Sequence, residues 1–496
     1  MKRKLPWRPV LLSVLVLFSC SKKEEETIVQ PIPGSVPVDF VRVNGQMADF
    51  NPEDNTFMVL FPTVTDFSDC SVEVTATTTW VYRDGQRVAK SDPHMDLSSP
   101  VTLRFMDGLH YEDYTIRAVN TGLPVVRIST PGRAAVTSKE NWLTGAGIRI
   151  EQPDGTLDYE GSMSIRGRGN STWNYPKKPY LVRLDEKSSV LGMPEHKRWI
   201  LLANWKDRTL LRNDAALWLS RHTGLPYTVR GRFVEVEMNG KHVGNYYLCE
   251  QIRVNRNRVD IDKDNGYLLE VDTYFDEPWQ FIFPSLFNIP WMVKHPDEED
   301  MTDEAFAWVR DFIGSLETLM KDETRVRNHE YEAYFDVDTA IDYMFVEELT
   351  TNNDFYNTWP WPGAHSTYFY LERGGKLYSG PVWDFDYHTF CPQFTSSWTG
   401  VTRTLFYPKL LKDERFRTRM LERWAQQKNT LKDLPTYIDG MADRIRVSEG
   451  VNQQMWPISN RENGDEEMTF QQAVDRMKKS YLDKWTWMDR NIGNLR

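Results

Sequence analysis

Alternating apolar and polar residues dominate the part of the chain that runs from about Val36 to Gly122. A period of two places successive side chains on opposite faces of a β-strand. The runs recur at intervals of roughly 8–12 residues and are separated by Asn-Gly, Asp-Gly and Ser-Pro turn signals. The segments with this pattern are VDFVRVNG, NTFMVLFP, CSVEVTATT, VTLRF and YTIRAV. The pattern predicts a small all-β sandwich at residues 37–122.

Strand-like and helix-like runs are mixed beyond residue 122. Asn239-Gly240 separates two of the strand-like runs and predicts a hairpin turn. A period near 3.6 residues predicts helices in TLLRNDAALWLSRHTG, DEAFAWVRDFIGSLETLMKD and DVDTAIDYMFVEELTT. Most of the chain after residue 400 has the helical period. We therefore expect an α+β domain at residues 123–400 and a helical extension at residues 401–496.

The N-terminus has the features of a targeting segment. Basic MKRKLPWR precedes the apolar run PVLLSVLVLF, which is too short to span a bilayer stably. Leu17-Phe18-Ser19-Cys20 resembles a bacterial lipobox, so residues 1–20 are predicted as a lipoprotein signal peptide with lipidation at Cys20. A signal peptide without lipidation and an uncleaved anchor are the alternatives. Residues 21–36 are charged and then proline-rich, which indicates a tether.

The composition is typical of a globular protein, and the net charge argues against one class of partner. The chain has 496 residues, of which 40% are hydrophobic and 26% charged, as in globular proteins. Its net charge of −11 argues against a nucleic-acid partner, which would favour a basic surface. The three cysteines that follow Cys20 are widely spaced and match no zinc pattern.

A glycine-containing turn is the first candidate for phosphate binding. Gly167, Arg168, Gly169, Asn170 and Ser171 lie between two strand-like runs. Glycines with small polar neighbours can expose backbone N–H groups to a phosphate. A lysine on the strand that follows, Lys177 or Lys178, could neutralise phosphate oxygens. The alternative is an ordinary β-turn with solvated lysines.

Two further residues are weaker candidates for the same cleft. Arg212, one turn into the helix that follows Asp207, could reach the glycine turn or a carboxylate; Asp207 itself suits a helix N-cap. Glu250 ends a strand-like run at the place where a chain would pass to a nucleotide-base pocket. A charge exposed at the end of the strand explains Glu250 equally well.

Two acidic clusters are the most informative chemical feature. Asp354 follows a long apolar helix-like run, and Asp384 and Asp386 directly follow a strand-like run. A magnesium-dependent phosphoryl-transfer site needs one carboxylate to position a hydroxyl and others to hold the metal. Asp354 is therefore predicted as the catalytic residue, and Asp384, Asp386 and Asn357 as metal ligands. A structural turn is the alternative for each cluster.

The motifs, taken in order, resemble the CotH (spore coat protein H) kinase family over roughly residues 123–390. They are SIRGRGNSTWNYPKKPY, WILLANWKDRTLLRN, FVEVEMNGKHVGNYYLCEQI, GYLLEVD, NND and GPVWDFD. The resemblance implies a divergent protein-kinase-like domain with two lobes, which uses ATP and Mg²⁺ or Mn²⁺. By position, the resemblance implies that Asp354 corresponds to the catalytic-loop aspartate of kinases and that Asp384 corresponds to their metal-binding aspartate. The chain departs from kinases in having no complete G-x-G-x-x-G and no His-Arg-Asp, and in placing Asn357 three residues after Asp354.

The resemblance extends to the N-terminal part of the chain. The lysines and glutamates after Cys20 resemble the export signals of Bacteroidetes surface lipoproteins, and the β region resembles their Ig-like modules. We therefore expect a lipid-anchored atypical kinase at the outer membrane or cell surface. Its partners would be a nucleotide, the membrane and a secreted or surface protein that accepts phosphate on a hydroxyl. A catalytically inactive surface protein that binds or scaffolds, for example on glycans, and an enzyme that transfers a nucleotide are the alternatives.

Overall fold

The computed structural model of the chain describes residues 30–52, 54–61, 66–78, 80–272, 281–355, 365–458 and 463–496. The predicted signal peptide, Cys20 and most of the predicted tether lie outside the described residues. Asn357 also lies outside them.

Two β-sheets that share one core form the N-terminal region. The strands are β1 (Ile32–Pro33), β2 (Val38–Val43), β3 (Gln46–Met47), β4 (Asp49–Asn51), β5 (Thr56–Phe61), β6 (Cys70–Ala76), β7 (Trp80–Arg83), β8 (Gln86–Val88), β9 (Asp92–Met95), β10 (Val101–Asp107) and β11 (His110–Asn120). One sheet has the order β4-β5-β11-β10-β7-β8, with β1 beside β11, and the other has the order β3-β2-β6-β9. Their apolar positions, such as Val43 and Leu103, meet in a buried core because each strand alternates inward and outward residues.

A closed barrel follows the N-terminal region. Its strands are β12 (Val125–Ser129), β13 (Leu143–Glu151), β14 (Leu157–Gly167), β15 (Tyr180–Val190), β16 (Met193–Leu202), β17 (Gly231–Met238) and β18 (Lys241–Glu250), in the order β12-β13-β14-β15-β16-β18-β17. Parallel pairing of β12 with β17 closes the barrel. The predicted hairpin is confirmed, since Asn239 and Gly240, both with positive φ, join β17 to β18.

The two faces of the barrel strands have different neighbours. Ile165 and Val182 point inward and belong to the barrel core. Leu181 and Ile200 belong instead to the core that the helices share, so they lie on the outer face. This outer face provides one wall of the cleft described below.

An antiparallel sheet and the helices complete the structure. The remaining strands are β19 (Gly266–Val271), β20 (Phe281–Ile282), β21 (Trp291–His295), β22 (Thr367–Glu372) and β23 (Tyr378–Ser379), in the order β20-β21-β19-β22-β23. The α-helices are α1 (Arg212–Arg221), α2 (Asp303–Lys321), α3 (Glu323–Arg327), α4 (Val337–Leu349), α5 (Tyr407–Leu410), α6 (Glu414–Leu431), α7 (Leu434–Met455) and α8 (Phe470–Asn491). The helices predicted from the 3.6-residue period are α1, α2 and α4.

The helix α4 lies at the centre of this assembly. Every residue from Thr339 to Leu349 is buried, including Asp342, Glu347 and Glu348, so this part of the helix has no exposed polar face. The Asp336 side chain caps the first turn by accepting a hydrogen bond from the Thr339 N–H at 2.9 Å. The helix ends at Leu349, and the chain that follows it reaches the cleft at Asp354.

The fold is mixed α+β, with a β-rich N-terminal part and a helical C-terminal part, as predicted. Among the described residues, the helices are too short or too polar to cross a membrane.

Candidate active site

A cleft of about 780 Å³ lies between the outer face of the barrel and the end of α4. Its apolar wall includes Leu181, Ile200 and Leu202, and its opposite wall includes three aspartates. The predicted site residues that line it are Gly167, Arg168, Gly169, Asn170, Ser171, Lys177, Asp354, Asp384 and Asp386. The structure therefore brings the glycine turn and both acidic clusters into one cavity.

Asp384 is held in an unusual backbone conformation at this cavity. Its φ of 70° lies in the left-handed region, which L-residues other than Asn and Asp rarely adopt. The next residue, Phe385, donates its N–H to Asn213 Oδ1 at 2.8 Å. Ser366 Oγ donates to Asp384 Oδ2 at 3.2 Å. The first bond holds the backbone that follows Asp384, and the second orients the Asp384 carboxylate.

Asp354 is held by the loop that ends α4. Its N–H donates to Asn352 Oδ1 at 3.1 Å, and Asn352 Nδ2 donates to Glu347 Oε2 at 2.9 Å. Its carbonyl oxygen accepts from the His365 N–H at 2.9 Å. The backbone of Asp354 is therefore tied both to α4 and to the segment that leads into β22.

The three aspartates act on one another electrostatically. Burial and then the carboxylate of Asp384 raise the pKa of Asp354 to about 7. Burial and then Asp384 and Asp207 raise the pKa of Asp386 to about 8. Burial also raises the pKa of Asp384, against the opposing effect of Arg168. Three carboxylates in one partly dry cavity are the arrangement that a cation would stabilise.

Two cationic side chains face these aspartates. Arg168 lies with its guanidinium 5.5 Å from the centre of the Trp383 ring. Lys206 lies between two tyrosines, 4.5 Å from the Tyr175 ring and 4.6 Å from the Tyr387 ring. The charge of Arg168 opposes the rise in the pKa of Asp384, and the charge of Lys206 opposes the rise in the pKa values of Asp354 and Asp386. Sequence reasoning did not assign Lys206 to the site.

Other residues of the cleft were also missed. Asp272, which directly follows β19, and His365 both line the cavity. Asp272 Oδ1 lies 4.0 Å from His365 Nδ1. Glu270 pairs with Lys294 at 3.6 Å across neighbouring strands. The only signal in the sequence is that Asp272 ends the strand-like run GYLLEVD, which is too common a pattern to be specific.

The glycine turn is constrained by its surroundings. A Cβ on Gly167 would lie 2.3 Å from the Trp173 ring, and one on Gly169 would lie 2.0 Å from Thr172 Oγ1. Gly169 also has a φ of +85°. The N–H of Gly167 donates to Ser138 O at 2.8 Å, and that of Arg168 donates to Pro179 O at 3.2 Å. Those two amides are thus already used within the protein.

The two lysines predicted for phosphate binding have other neighbours. Lys177 is fully buried, and its Nζ donates to Ala203 O at 3.0 Å, to Asn452 Oδ1 at 2.8 Å and to the Asn245 carbonyl. Burial lowers the pKa of Lys177 to about 7. Lys178 Nζ donates to the Trp173 carbonyl at 2.8 Å and does not line the cleft.

Arg212 and Glu250 lie behind the walls of the cleft. Arg212 is buried and pairs with both Asp207 and Asp465. Burial opposes its charge, but these two carboxylates outweigh that effect and raise the pKa of Arg212. Glu250 is fully buried and accepts hydrogen bonds from Tyr227 and Arg230.

A divalent metal fits the donor set of the cleft. In the described part of the chain, no three or more His, Cys, Asp or Glu side chains are already arranged around a metal position. Carboxylates are nevertheless the ligands that Mg²⁺ and Mn²⁺ prefer, and one or two suffice when phosphates and water complete the shell. Burial and mutual repulsion raise the pKa values of these carboxyl groups despite the charges of Arg168 and Lys206, and a bound cation would oppose both effects.

The chain belongs to the CotH family. A family model described as "CotH kinase protein" matches residues 165–488, from β14 to α8, which is about two thirds of the chain. The resemblance found in the motifs is thereby confirmed, and membership indicates a kinase-like function. ATP and a divalent metal are the cofactors that such a family generally implies.

Comparison with solved structures adds little. A protein from Bacteroides thetaiotaomicron, described as a "putative glycoside hydrolase", is 13% identical over 58% of this chain and 89% of its own, with a TM-score of 0.16. A TM-score this low supports no conclusion about fold or function. None of the curated proteins matches the chain.

Proposed function

We propose that the protein transfers the γ-phosphoryl group of ATP to a hydroxyl of a secreted or surface protein. The observation that carries the proposal is the meeting of Asp354, Asp384 and Asp386 in one cleft, opposite Arg168 and Lys206. Phosphoryl transfer needs mainly positioning and neutralisation of charge, and these residues offer both.

Asp354 is the residue that would orient the acceptor hydroxyl. The hydroxyl oxygen forms the new P–O bond as the bond between the γ-phosphorus and the β–γ bridging oxygen breaks, which releases ADP. The acceptor proton passes to the Asp354 carboxylate. The raised pKa of Asp354, about 7, favours proton acceptance from the reacting hydroxyl.

The remaining residues would bind the nucleotide. Arg168 and Lys206 would contact phosphate oxygens, since both are cations beside the acids. Leu181 and Ile200 form an apolar surface suited to a nucleotide base. The segment 251–253, which follows Glu250, also lines the cleft. Asp384 and Asp386 would hold Mg²⁺ or Mn²⁺, which supplies positive charge to the phosphates.

The test uses the chain from residue 21 with γ-labelled ATP, Mg²⁺ or Mn²⁺, and a generic acceptor such as casein. Asp384→Asn should lower phosphate transfer by at least about 100-fold if the carboxylate neutralises transition-state charge. Asparagine is the appropriate replacement because it tolerates the left-handed backbone of residue 384, whereas alanine would add strain.

Asp311→Asn is the matched control, because Asp311 is exposed on α2 and lies outside the cleft. Its activity should equal that of the unaltered protein. Equal activity in Asp384→Asn would reject the proposed site. Tight ATP binding without transfer to any acceptor would instead favour the catalytically inactive binding or scaffold protein.

The finer architecture and location belong to the same proposal. Two lobes around the cleft, as in protein kinases, would account for a nucleotide site between the barrel and the helices. An Ig-like N-terminal unit would act as a spacer from a membrane that holds the protein through lipidated Cys20, at the outer membrane or cell surface. The lipobox supports this location, and loss of lipid labelling in Cys20→Ser would test it.

A further inference from the structure

Three arginines surround one tryptophan on the outer face of the barrel. The guanidinium carbons of Arg166, Arg183 and Arg198 lie 5.0, 4.7 and 5.0 Å from the centre of the Trp142 ring. We call these three side chains the arginine cluster. Planar guanidinium groups stacked on an indole keep their N–H groups directed sideways, where they can bind a ligand.

The strand register places the cluster beside the apolar wall of the cleft. Arg183 is paired with Ser164 on β14 and with Arg198 on β16. Leu181, two residues from Arg183, is paired with Arg166 and Ile200. Residues two apart in a strand share a face, so the cluster continues the outer face formed by the wall. Arg166 itself lines the cleft.

The cluster has few internal partners for its donors. Arg166 Nη1 donates to Lys139 O at 2.6 Å, which holds the loop that carries Trp142. Arg166 Nε is buried without a hydrogen-bond partner in the described part of the chain. Among the residues that the structure describes, no carboxylate lies within ion-pair distance of Arg183 or Arg198. Three cations are thus held together with unused donors.

Crowding of like charges supports this interpretation. Burial, followed by the charges of Arg253, Arg183 and Arg166, lowers the pKa of Arg198 to about 10. Asp297 opposes this effect but is itself paired with Arg253 at 2.6 Å. An arrangement of this kind is unfavourable in isolation and becomes favourable when an anion binds between the cations.

We propose that the arginine cluster binds a tetrahedral oxyanion, as the phosphate or sulfate ester of a ligand other than ATP that enters the cleft from its Arg166 side. Guanidinium groups match such oxygens with paired N–H donors. The site is separate from the aspartates, and the proposal does not depend on phosphoryl transfer.

Calorimetric titration of the chain from residue 21 with sulfate and with phosphate tests the proposal. Ionic strength is held constant with sodium chloride, so that general screening does not change. Arg183→Gln and Arg198→Gln should each weaken oxyanion binding about tenfold or more. Arg87→Gln is the matched control, because Arg87 stacks on Trp80 at 3.6 Å in the N-terminal region. It should leave the affinity unchanged.

Two further measurements keep the outcome unambiguous. Circular dichroism without added oxyanion checks folding, and Arg198→Gln should melt no lower than the unaltered protein because it removes a repelling charge. Saturating ATP with Mg²⁺ should leave sulfate affinity unchanged if the cluster is a separate site. One-for-one competition with ATP would overturn the proposal, and so would equal sulfate affinity in both arginine variants. Asp384→Asn should retain sulfate binding even if it abolishes transfer.

Discussion

Replacement of Lys484 by methionine should lower the free energy of unfolding by about 3–5 kcal/mol, the usual cost of leaving a buried charge unpaired. Lys484 on α8 is fully buried, and its Nζ donates to Glu348 Oε2 at 2.9 Å and to Ser397 O at 2.6 Å. Glu348 on α4 is also fully buried. The substitution leaves the Glu348 carboxylate without its counter-charge inside the protein.

The structure indicates why Glu348 cannot simply move away. Its two oxygens accept hydrogen bonds from the N–H groups of Thr399, Gly400 and Val401 at 2.8–2.9 Å and from Thr399 Oγ1 at 2.7 Å. These bonds support the ionised form, and burial opposes it. Without Lys484, the balance shifts and the pKa of Glu348 must rise.

A matched control lies on the same helix. Lys479→Met removes an exposed lysine that pairs with Asp483 at 2.5 Å, and it should cost less than about 1 kcal/mol, as is usual for surface pairs. Urea unfolding followed by tryptophan fluorescence compares the two variants, with the slope checked for a change of mechanism. Equal losses in both variants would refute the argument.

The pH dependence gives a second check of the same prediction. A carboxyl group with a raised folded-state pKa makes the folded state bind protons more tightly than the unfolded state. The deficit of Lys484→Met should therefore shrink as the pH falls from 7 toward 5, because Glu348 becomes neutral. A deficit that stays constant or grows on acidification would show that lost packing, and not the unpaired charge, causes the effect.

Three other substitutions test separate parts of the structure. Burial raises the pKa of Asp49 from 3.8 to about 7, so stability should fall as the pH rises through this interval. Asp49→Asn keeps an oxygen acceptor for the His242 N–H and should be more stable at pH 8 by at most about 4 kcal/mol, measured by urea unfolding. Gly169→Ala should weaken ATP binding in calorimetry, because its Cβ would collide with a threonine hydroxyl and its φ is positive. Asn213→Ala should lower the rate of phosphate transfer while changing the free energy of unfolding little, because it removes the hydrogen bond that holds the loop of Asp384.

Each of these predictions has its own contradicting result. Asp49→Asn should match the unaltered protein near pH 4, and a constant difference across pH would exclude the carboxyl group as the cause. Gly132→Ala is a control for Gly169→Ala, since Gly132 also has a positive φ but no atom near its Cβ position. Similar ATP affinity in the two glycine variants would reject the steric argument. Unchanged transfer in Asn213→Ala would show that the loop needs no such support.

Local patterns predicted those parts of the fold that depend on neighbouring residues. The apolar period predicted α2 and α4, and Asn239-Gly240 predicted the turn between β17 and β18. Closure of the barrel was not predictable in this way, because Val125 of β12 pairs with Glu235 of β17. That pairing joins segments more than a hundred residues apart, and neither segment contains a signal for the other.

The acidic side of the cleft was accessible to sequence reasoning for a similar reason. Asp354 directly follows a helix, and Asp384 and Asp386 follow a strand-containing hairpin, so their positions depend on short stretches of chain. Arg168 belongs to the glycine turn, which the sequence indicated, but its approach to Asp384 depends on tertiary packing. The roles that these residues play in catalysis remain predictions.

The lysines show where this reasoning ends. Adjacent positions in the sequence made Lys177 and Lys178 equal candidates for a phosphate, but the partners of Lys177 are oxygens of Ala203, Asn245 and Asn452. Those residues come from the end of β16, from β18 and from α7, so only the assembled fold defines the environment of Lys177. Its ammonium group joins α7 to the barrel through these neutral acceptors.

Lys206 lies instead beside the aspartates, because its two tyrosine neighbours, residues 175 and 387, meet only when the glycine turn and the acidic loop face each other. The position of Lys206 in the cleft is therefore fixed by tertiary packing, which no spacing of residues along the chain could reveal.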